Sequence, residues 1–95
     1  MASKSSTFYR LEKEIGDGWK SVVEFHTVVN GNMYTAEHEE RPGGALGWNG
    51  KPKNTTKESG NKYYCKLKSN GYKFAGIWEM DILGVKTLIS SEIKK

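Results

Sequence analysis

Apolar and polar residues alternate with a period of two along most of this chain, and this alternation limits its fold more than any other feature. Successive side chains of a β-strand point to opposite faces of a sheet, so alternation is typical of strands with one buried face. It is clear in residues 8–15, 19–29 and 32–39, and the pair Asn30-Gly31 is a strong signal for a tight hairpin turn. The first half of the chain is therefore predicted to form antiparallel hairpins.

The second half of the chain repeats the pattern. Residues 62–68 alternate, with Cys65 on the apolar face, where a buried structural thiol is expected. Residues 72–82 are predicted to form a long strand in which Gly76 marks a bulge or a close backbone approach. Residues 85–93 fit a helical stripe as well as a strand, and their Val, Thr and Ile content favours the strand.

Together these segments predict an all-β fold that is mainly antiparallel. About five to six short strands in sequential hairpins favour a small barrel or sandwich, with a short C-terminal helix as the other interpretation of the last segment. A chain of 95 residues suits a single core, and an aromatic content of 12% is too high for a disordered polypeptide. Residues 1–6 are expected to form a flexible tail and residues 7–95 one β domain, with a long basic loop over residues 41–60.

Cysteine content and hydropathy predict a cytoplasmic protein. Cys65 is the single cysteine of the sequence and has no partner for an internal disulfide, whereas small secreted domains usually carry several. Residues 1–7 lack the apolar segment of a secretory signal, and no stretch approaches the roughly 20 apolar residues of a membrane span. We expect no membrane association.

The sequence contains no residue pattern typical of catalysis or of metal binding. His26 and His38 lie close in sequence to glutamates, but their spacing fits none of the zinc or acid–base motifs, and acids beside a histidine are common on a solvated strand face. Serines and glycines likewise lack the strand-to-helix setting of an activated hydroxyl or a phosphate loop. The chain is therefore predicted to be non-catalytic, with no metal site and no cofactor.

Positive charge is concentrated in one segment. Residues 47–73 contain seven lysines and one acid, whereas residues 7–46 contain seven acids and four bases. Lysines neutralise phosphates and an exposed ring beside them can stack on a base, which is the combination that single-strand binders use. Alternation puts Tyr64 on the same face as the neighbouring lysines. The predicted nucleic-acid-binding residues are Trp48, Lys51, Lys53, Lys57, Lys62, Tyr64, Lys66 and Lys68.

Other interpretations of the same segment stay open. A lysine-rich strand can simply keep a sheet edge from aggregating, with Trp48 folded back as a lid on the core. The chain can also be a small interaction factor, such as a phage-type inhibitor or accessory protein, that docks on a protein partner through the Trp48 loop or a sheet edge. An exposed edge strand would equally allow two copies to pair as a homodimer.

Part of this segment resembles a known family. The stretch from Met33-Tyr34 to Gly47-Trp48-Asn49-Gly50-Lys51, and on to Ser59-Gly60-Asn61-Lys62-Tyr63-Tyr64-Cys65-Lys66-Leu67-Lys68, is similar to small phage and prophage proteins with an oligonucleotide-binding-type barrel. The resemblance covers about a third of the chain. It implies single-stranded DNA or RNA as the ligand. The residues that it implies on the binding side are Trp48, Lys51, Lys62, Tyr64, Lys66 and Lys68.

Overall fold

A computed structural model describes residues 6–27, 32–81 and 83–90. The elements in chain order are β1 (Ser6–Gly16), β2 (Trp19–Thr27), β3 (Asn32–Glu40), β4 (Leu46–Asn49), β5 (Lys53–Thr56), α1 (Lys57–Ser69), β6 (Lys73–Met80) and β7 (Lys86–Ser90). All strand pairs are antiparallel, so the predicted fold class is confirmed. The turn expected at Asn30-Gly31 and the tail expected over residues 1–6 lie outside the described residues, apart from Ser6 in β1.

The strands form one sheet in the order β4-β3-β2-β1-β6-β7, and β5 pairs with β3 beside β4. The two short strands share the same edge, because β5 pairs with Asn32–Thr35 and β4 with His38–Glu40. The sheet is strongly curved, since the Lys86 Nζ on β7 lies 2.7 Å from the Glu24 Oε2 on β2, across the two strands that separate them. We call the face that carries this contact the ionic face and the opposite one the helix face.

Helix α1 covers the helix face and forms the core with it. Leu11, Val23, Phe25, Met33 and Leu67 make one buried apolar cluster, and Leu11 and Val23 have no exposed area. Complete burial of side chains of this size contributes about 1.5–3 kcal/mol each. Gly60 of α1 lies directly against the Met33 side chain, so a Cβ at this position would clash with it. The helix can approach the sheet this closely because position 60 has no side chain.

Residues 62–68 form part of α1, so the strand predicted there is wrong. The physical reason is that Gly60, Tyr63, Tyr64 and Leu67 have the i, i+3, i+4, i+7 spacing of one helix face, and this face packs on the sheet. Thr56 caps the helix, because its hydroxyl accepts a hydrogen bond from the backbone N–H of Ser59.

The segment expected as a long loop over residues 41–60 is also more ordered than predicted. It contains β4, β5 and the first turn of α1. Within the described residues, the helix is α1 in the second half of the chain. The described part of the last predicted segment forms the strand β7, which its β-branched residues favour, and residues 91–93 lie outside the described part. No helix in the described part of the chain has the length and apolar character needed to cross a membrane.

The bulge predicted at Gly76 is confirmed. Between the pairs Leu11↔Phe74 and Tyr9↔Ile77, β6 contains one more residue than β1. Gly76 has a φ of 114°, and a Cβ there would clash with the Leu88 side chain and come within 3.0 Å of the Ser90 carbonyl oxygen. Glycine is therefore required both by the backbone conformation and by the close approach of β7.

Candidate functional site

Helix α1 presents four of the predicted binding lysines on its exposed surface: Lys57, Lys62, Lys66 and Lys68. At 100° per residue they fall into two rows that flank the solvent side of the helix. Glu58 is the acid of this helix, and its pair with Lys62 is long, 3.6 Å, with both side chains about four-fifths exposed. Such a pair is weak, because water screens it, so the helix surface stays positive.

The first row consists of Lys62 and Lys66, which are one turn apart. Lys53, at the start of β5, lies beside this row, because it lines a cavity of about 290 Å³ together with Ser59 and Tyr63 of α1. The second row runs through Lys57, Asn61, Tyr64 and Lys68, which have the spacing i, i+4, i+7, i+11 along one side of the helix. Lysines thus stand at both ends of this second row.

Tyr64 does not share a face with Lys62 and Lys66, contrary to the expectation from alternation. The helical period turns its ring toward the sheet, where it meets Phe25 with ring centroids 5.4 Å apart and Tyr9 with centroids 6.4 Å apart, both edge-to-face. Such aromatic pairs stabilise a core by about 0.5–1.5 kcal/mol beyond the area that they bury. Tyr64 therefore belongs to the junction between α1 and the sheet.

A groove opens at this junction. It has a volume of about 120 Å³ and is lined by Tyr9, Phe25, Met33, Asn61 and Tyr64. The Tyr64 Oη is buried and has no hydrogen-bond partner among the described residues. Burial raises the pKa of this phenol, so it is a neutral donor at neutral pH. An unpaired buried hydroxyl costs about 1–3 kcal/mol, so this group opposes folding rather than stabilising it.

The neighbouring Tyr63 differs in this respect. Its Oη donates a hydrogen bond of 2.9 Å to the Glu37 Oε2, which anchors α1 to β3. Burial, together with this bond and the nearby carboxylate, raises the pKa of Tyr63 to about 12. Tyr63 and Tyr64 therefore form a natural comparison, one hydroxyl paired and the other unpaired.

Trp48 pairs with a different end of β3 from the strand β5 that leads into the lysine-bearing helix α1. It is 53% exposed on β4 and pairs with Glu39 of β3, at the opposite end of β3 from the residues that pair with β5. Its ring lies over Gly50, where an added Cβ would come within 2.8 Å of the Trp48 Cη2. The structure thus separates Trp48 from the α1 lysines along β3, and Lys51 is exposed in the connection from β4 to β5.

The ionic face holds a network that the sequence did not indicate. Arg10 pairs with Glu12 at 2.7 Å and with Glu40 at 2.8 Å, and His38 donates to Glu40 at 2.7 Å. On the same face, Glu24 accepts from both His26 and Lys86. His26 and His38 are only 5% and 8% exposed, so the expectation of histidines on a solvated strand face is wrong.

Two carboxylates of this network, Glu24 and Glu40, are held ionised. Burial opposes ionisation of Glu24, but hydrogen bonds from His26 and Lys86 outweigh it and lower the pKa of the carboxyl. The pKa of Glu40 is lowered in the same way, since its bonds from His38 and Arg10 outweigh its burial. These acids are thus paired with cations of their own face. Among the described residues, the acids that lie on or against α1 are Glu58, which pairs weakly with Lys62, and Glu37, which accepts a hydrogen bond from Tyr63.

Cys65 is exposed on α1, so the expectation of a buried thiol is wrong. The cause is again the helix, which turns position 65 away from the sheet while Tyr64 and Leu67 pack on it. Within residues 6–27, 32–81 and 83–90, no group of three or more His, Cys, Asp and Glu side chains is arranged to hold a metal ion.

No family model, curated protein or solved structure matches this chain. Its similarity to oligonucleotide-binding-type barrels therefore stays a hypothesis.

Sequence reasoning missed the lining of the groove. Tyr9, Phe25 and Met33 lie in segments predicted as strands, and Asn61 lies between the predicted loop and the strand predicted over residues 62–68, so no local pattern groups all four of them. The signal that could have grouped part of them is the helical spacing of Asn61 and Tyr64 between Lys57 and Lys68. The contributions from β1, β2 and β3 depend on sheet pairing, which a single sequence does not show.

Proposed function

We propose that this chain is a non-catalytic nucleic-acid-binding protein whose interface is the exposed surface of α1. The observation that carries the proposal is the set of four lysines on one thirteen-residue helix with Glu58 as its weakly paired acid. Lysines spaced along a helix surface neutralise successive phosphates of a nucleic-acid backbone, and the release of condensed counterions drives the association. Exposed Lys51 and Lys53 extend the same positive charge toward the β4–β5 edge.

The distribution of acids supports this assignment. Three acids from the first half of the chain, Glu12, Glu24 and Glu40, lie on the ionic face. Each forms an ion pair with a basic side chain, with an N–O distance of 3.3 Å or less. Buried and neutralised carboxylates contribute little field at the opposite surface. On and against α1, the four lysines exceed the two acids Glu58 and Glu37, so this surface carries a net positive charge.

Location in the cytoplasm forms part of the proposal. Single-stranded nucleic acid is present in the cytoplasm. The single cysteine, which is exposed, has no partner for an internal disulfide of the kind that stabilises proteins in oxidising compartments. The proposal assigns no reaction, metal or cofactor to the protein.

The test is a fluorescence anisotropy titration with a labelled single-stranded oligonucleotide at 50 mM salt. We expect binding with a dissociation constant below about 100 μM, since non-specific binders reach the micromolar range. The double variant Lys62→Glu, Lys66→Glu should weaken binding at least tenfold, because it removes two phosphate contacts and adds two repulsive charges. The matched control is Lys94→Glu, Lys95→Glu, which changes the net charge by the same amount outside the described residues.

Failure of the wild-type protein to bind at this salt concentration would overturn the proposal. So would an equal loss of affinity in both double variants, because net charge rather than the α1 surface would then control binding. Both variants should keep the circular dichroism spectrum and thermal midpoint of the wild type, since the replaced lysines of α1 are exposed.

A protein-docking function is the second candidate, and one observation favours it. Large apolar side chains are exposed at both edges of the sheet: Leu46 and Trp48 on β4, Leu83 and Val85 before β7, and Leu88 and Ile89 on β7. An exposed apolar edge is a site for a further strand, either of a protein partner or of a second copy. For this candidate, Trp48→Ala or Ile89→Lys should lower the affinity for the protein partner. An increase in salt concentration should change that affinity little.

A further inference from the structure

We infer that the cleft between β3, β5 and the start of α1 binds one nucleotide of a single strand and favours a base that carries an exocyclic amino group. Glu37, Lys53 and Ser59 line this cleft, which has a volume of about 290 Å³, and Trp48 lies beside it. The inference rests on the proposed function, because the lysines of α1 bring the strand to this surface. It deepens that function by naming a kind of base and the residue that recognises it.

Glu37 offers this cleft an accessible hydrogen-bond acceptor. The Tyr63 Oη donates to the Glu37 Oε2 at 2.9 Å, which holds the carboxylate in position. The other oxygen, Oε1, accepts no hydrogen bond from the described residues. In the described part of the chain, the Tyr64 Oη is the one buried polar side-chain atom without a partner, so the unpaired Glu37 Oε1 is open to solvent. A ligand in the cleft can therefore donate a hydrogen bond to a carboxylate that is already oriented.

Lys53 supplies a positive charge near this acceptor. It is exposed at the start of β5, pairs with Thr35 of β3 and lines the same cleft. Glu37 lies two residues farther along β3, roughly 7 Å from Thr35 at about 3.3 Å per residue. A single nucleotide spans such a distance between its phosphate and the edge of its base. Asn54 and Ser59, both exposed in the lining, add donors and acceptors for the sugar oxygens.

Trp48 supplies an accessible aromatic ring at the end of the cleft. It pairs directly with Glu39, so its side chain lies on the face of β3 that also carries Glu37. A Cβ on Gly50 would come within 2.8 Å of the Trp48 Cη2 and within 3.1 Å of the Glu37 carbonyl oxygen, so the ring extends along β3 to Glu37. The side chain of Trp48 is 53% exposed, so a base can reach the ring and stack on it.

The acceptor determines which base is favoured. A carboxylate oxygen accepts a hydrogen bond from the N4 amino group of cytosine, whereas thymine presents the O4 acceptor at the same position, which a carboxylate repels. The two pyrimidine rings are alike in size, so this preference depends on hydrogen bonding and not on the volume of the cleft. The juxtaposition of an open carboxylate oxygen, a lysine and an exposed ring is the basis of the inference.

The test compares labelled oligo-dC, oligo-dT and a fully abasic strand of equal length, at 50 mM salt and a slightly alkaline pH that keeps cytosine neutral. All three strands carry the same phosphates, so the lysine surface alone would bind them equally. We expect oligo-dC to bind at least about fivefold more tightly than oligo-dT, as one hydrogen bond to a carboxylate predicts. Oligo-dT should still bind more tightly than the abasic strand, because its bases can stack on Trp48.

Variants assign the effect to single residues. In Glu37→Gln the amide oxygen can still accept from Tyr63, while the amide nitrogen replaces the open oxygen and donates to a carbonyl, so the preference for oligo-dC should be lost or reversed. The matched control is Glu58→Gln, which removes the same charge from an exposed position outside the lining of the cleft and should keep the preference. Trp48→Ala should lower the affinity for oligo-dC and oligo-dT about fivefold or more and leave the abasic strand unchanged, and Trp48→Phe should restore part of this loss.

Equal binding of all three strands by the wild type would overturn the nucleotide site while the lysine interface stands. Equal binding of oligo-dC and oligo-dT would overturn the preference for an amino group. An unchanged preference for oligo-dC in Glu37→Gln would contradict the role of Glu37, and so would an equal loss of affinity for all three strands, because Glu37 would then act on the fold through Tyr63. Absence of binding to every strand would instead overturn the proposed function itself.

Discussion

Replacing Tyr63 or Tyr64 with phenylalanine should have opposite effects on stability, although the two substitutions are chemically identical. Each removes one hydroxyl oxygen and leaves the ring, so the change in buried apolar area is nearly the same. The difference lies in the partner. Tyr63 donates a bond of 2.9 Å to the Glu37 carboxylate, whereas the buried Tyr64 hydroxyl has no partner among the described residues.

The expected magnitudes follow from these contacts. A hydrogen bond to a charged group contributes about 1.5–3 kcal/mol, and the lower end suits a half-buried pair, so Tyr63→Phe should lower the free energy of unfolding by about 1.5 kcal/mol. Removal of a buried, unpaired hydroxyl relieves a desolvation cost of about 1–3 kcal/mol, so Tyr64→Phe should raise it by about 1 kcal/mol. The variants should differ by about 2.5 kcal/mol, which is roughly 10–20 °C in thermal midpoint for a domain of this size.

The assay is thermal and urea denaturation followed by circular dichroism at pH 7, in the absence of nucleic acid. Near-ultraviolet spectra serve as the control for ring packing, because both variants should keep an ordered aromatic signal. A Tyr64→Phe protein that is less stable than the wild type would refute the reasoning, since its hydroxyl would then have a partner. So would equal losses in the two variants.

Three further outcomes are expected. Gly76→Ala should lower the free energy of unfolding by more than about 2 kcal/mol in urea denaturation, because alanine is strained at a φ of 114° and its Cβ would clash with Leu88; a neutral effect would contradict the bulge. Acid should destabilise the protein through Glu24 and Glu40, whose folded-state pKa values are lowered. Their stabilisation is present above the ordinary pKa of 4.5 and is lost as the pH falls through the folded-state pKa. Denaturation curves at a series of pH values should therefore show a smaller acid loss in Glu24→Gln than in the wild type, and parallel curves would argue against the network. Alkali should destabilise the protein through Tyr63, whose pKa is raised to about 12. The contribution of Tyr63 to the free energy of unfolding should be complete below pH 10 and should be lost as the pH rises toward 12. Ultraviolet titration of the phenol checks this pKa.

The strands of the first half could be predicted from the sequence because their chemistry is local. Alternation in β1, β2 and β3 reflects one face that packs on α1, and this face contains Leu11, Val23 and Phe25 as expected. The Gly76 bulge was predictable for a similar reason. Glycine within an apolar strand costs stability unless the backbone requires it, as the φ of 114° does here.

Helix α1 could not be distinguished from a strand by periodicity. Tyr63, Cys65 and Leu67 satisfy a period of two, while Gly60, Tyr63, Tyr64 and Leu67 satisfy the helical spacing, and a window of eight residues is too short to separate the two. The helix is favoured by tertiary packing, because the face formed by Tyr63, Tyr64 and Leu67 packs against Phe25 and Met33 of the sheet. As a consequence of the helical conformation, Tyr64 faces the sheet instead of the lysine surface, and Cys65 faces solvent.

The ionic face was not predictable because its contacts are non-local. Arg10, Glu24 and Glu40 stand at alternate positions that look like a solvated strand face. Curvature of the sheet brings Lys86 against Glu24, 62 residues away in the chain, and buries the pair from one side. No local pattern in a single sequence carries this information.

The salt dependence of nucleic-acid binding tests the central claim most directly. Four phosphate contacts from Lys57, Lys62, Lys66 and Lys68 predict a slope of about −2.8 for the logarithm of the association constant against the logarithm of salt concentration on a single strand. An increase from 50 to 200 mM salt should therefore weaken binding about 50-fold. In Lys62→Glu, Lys66→Glu the slope should fall to about −1.4. A slope near zero, or the same slope in both proteins, would contradict an interface built on the lysines of α1.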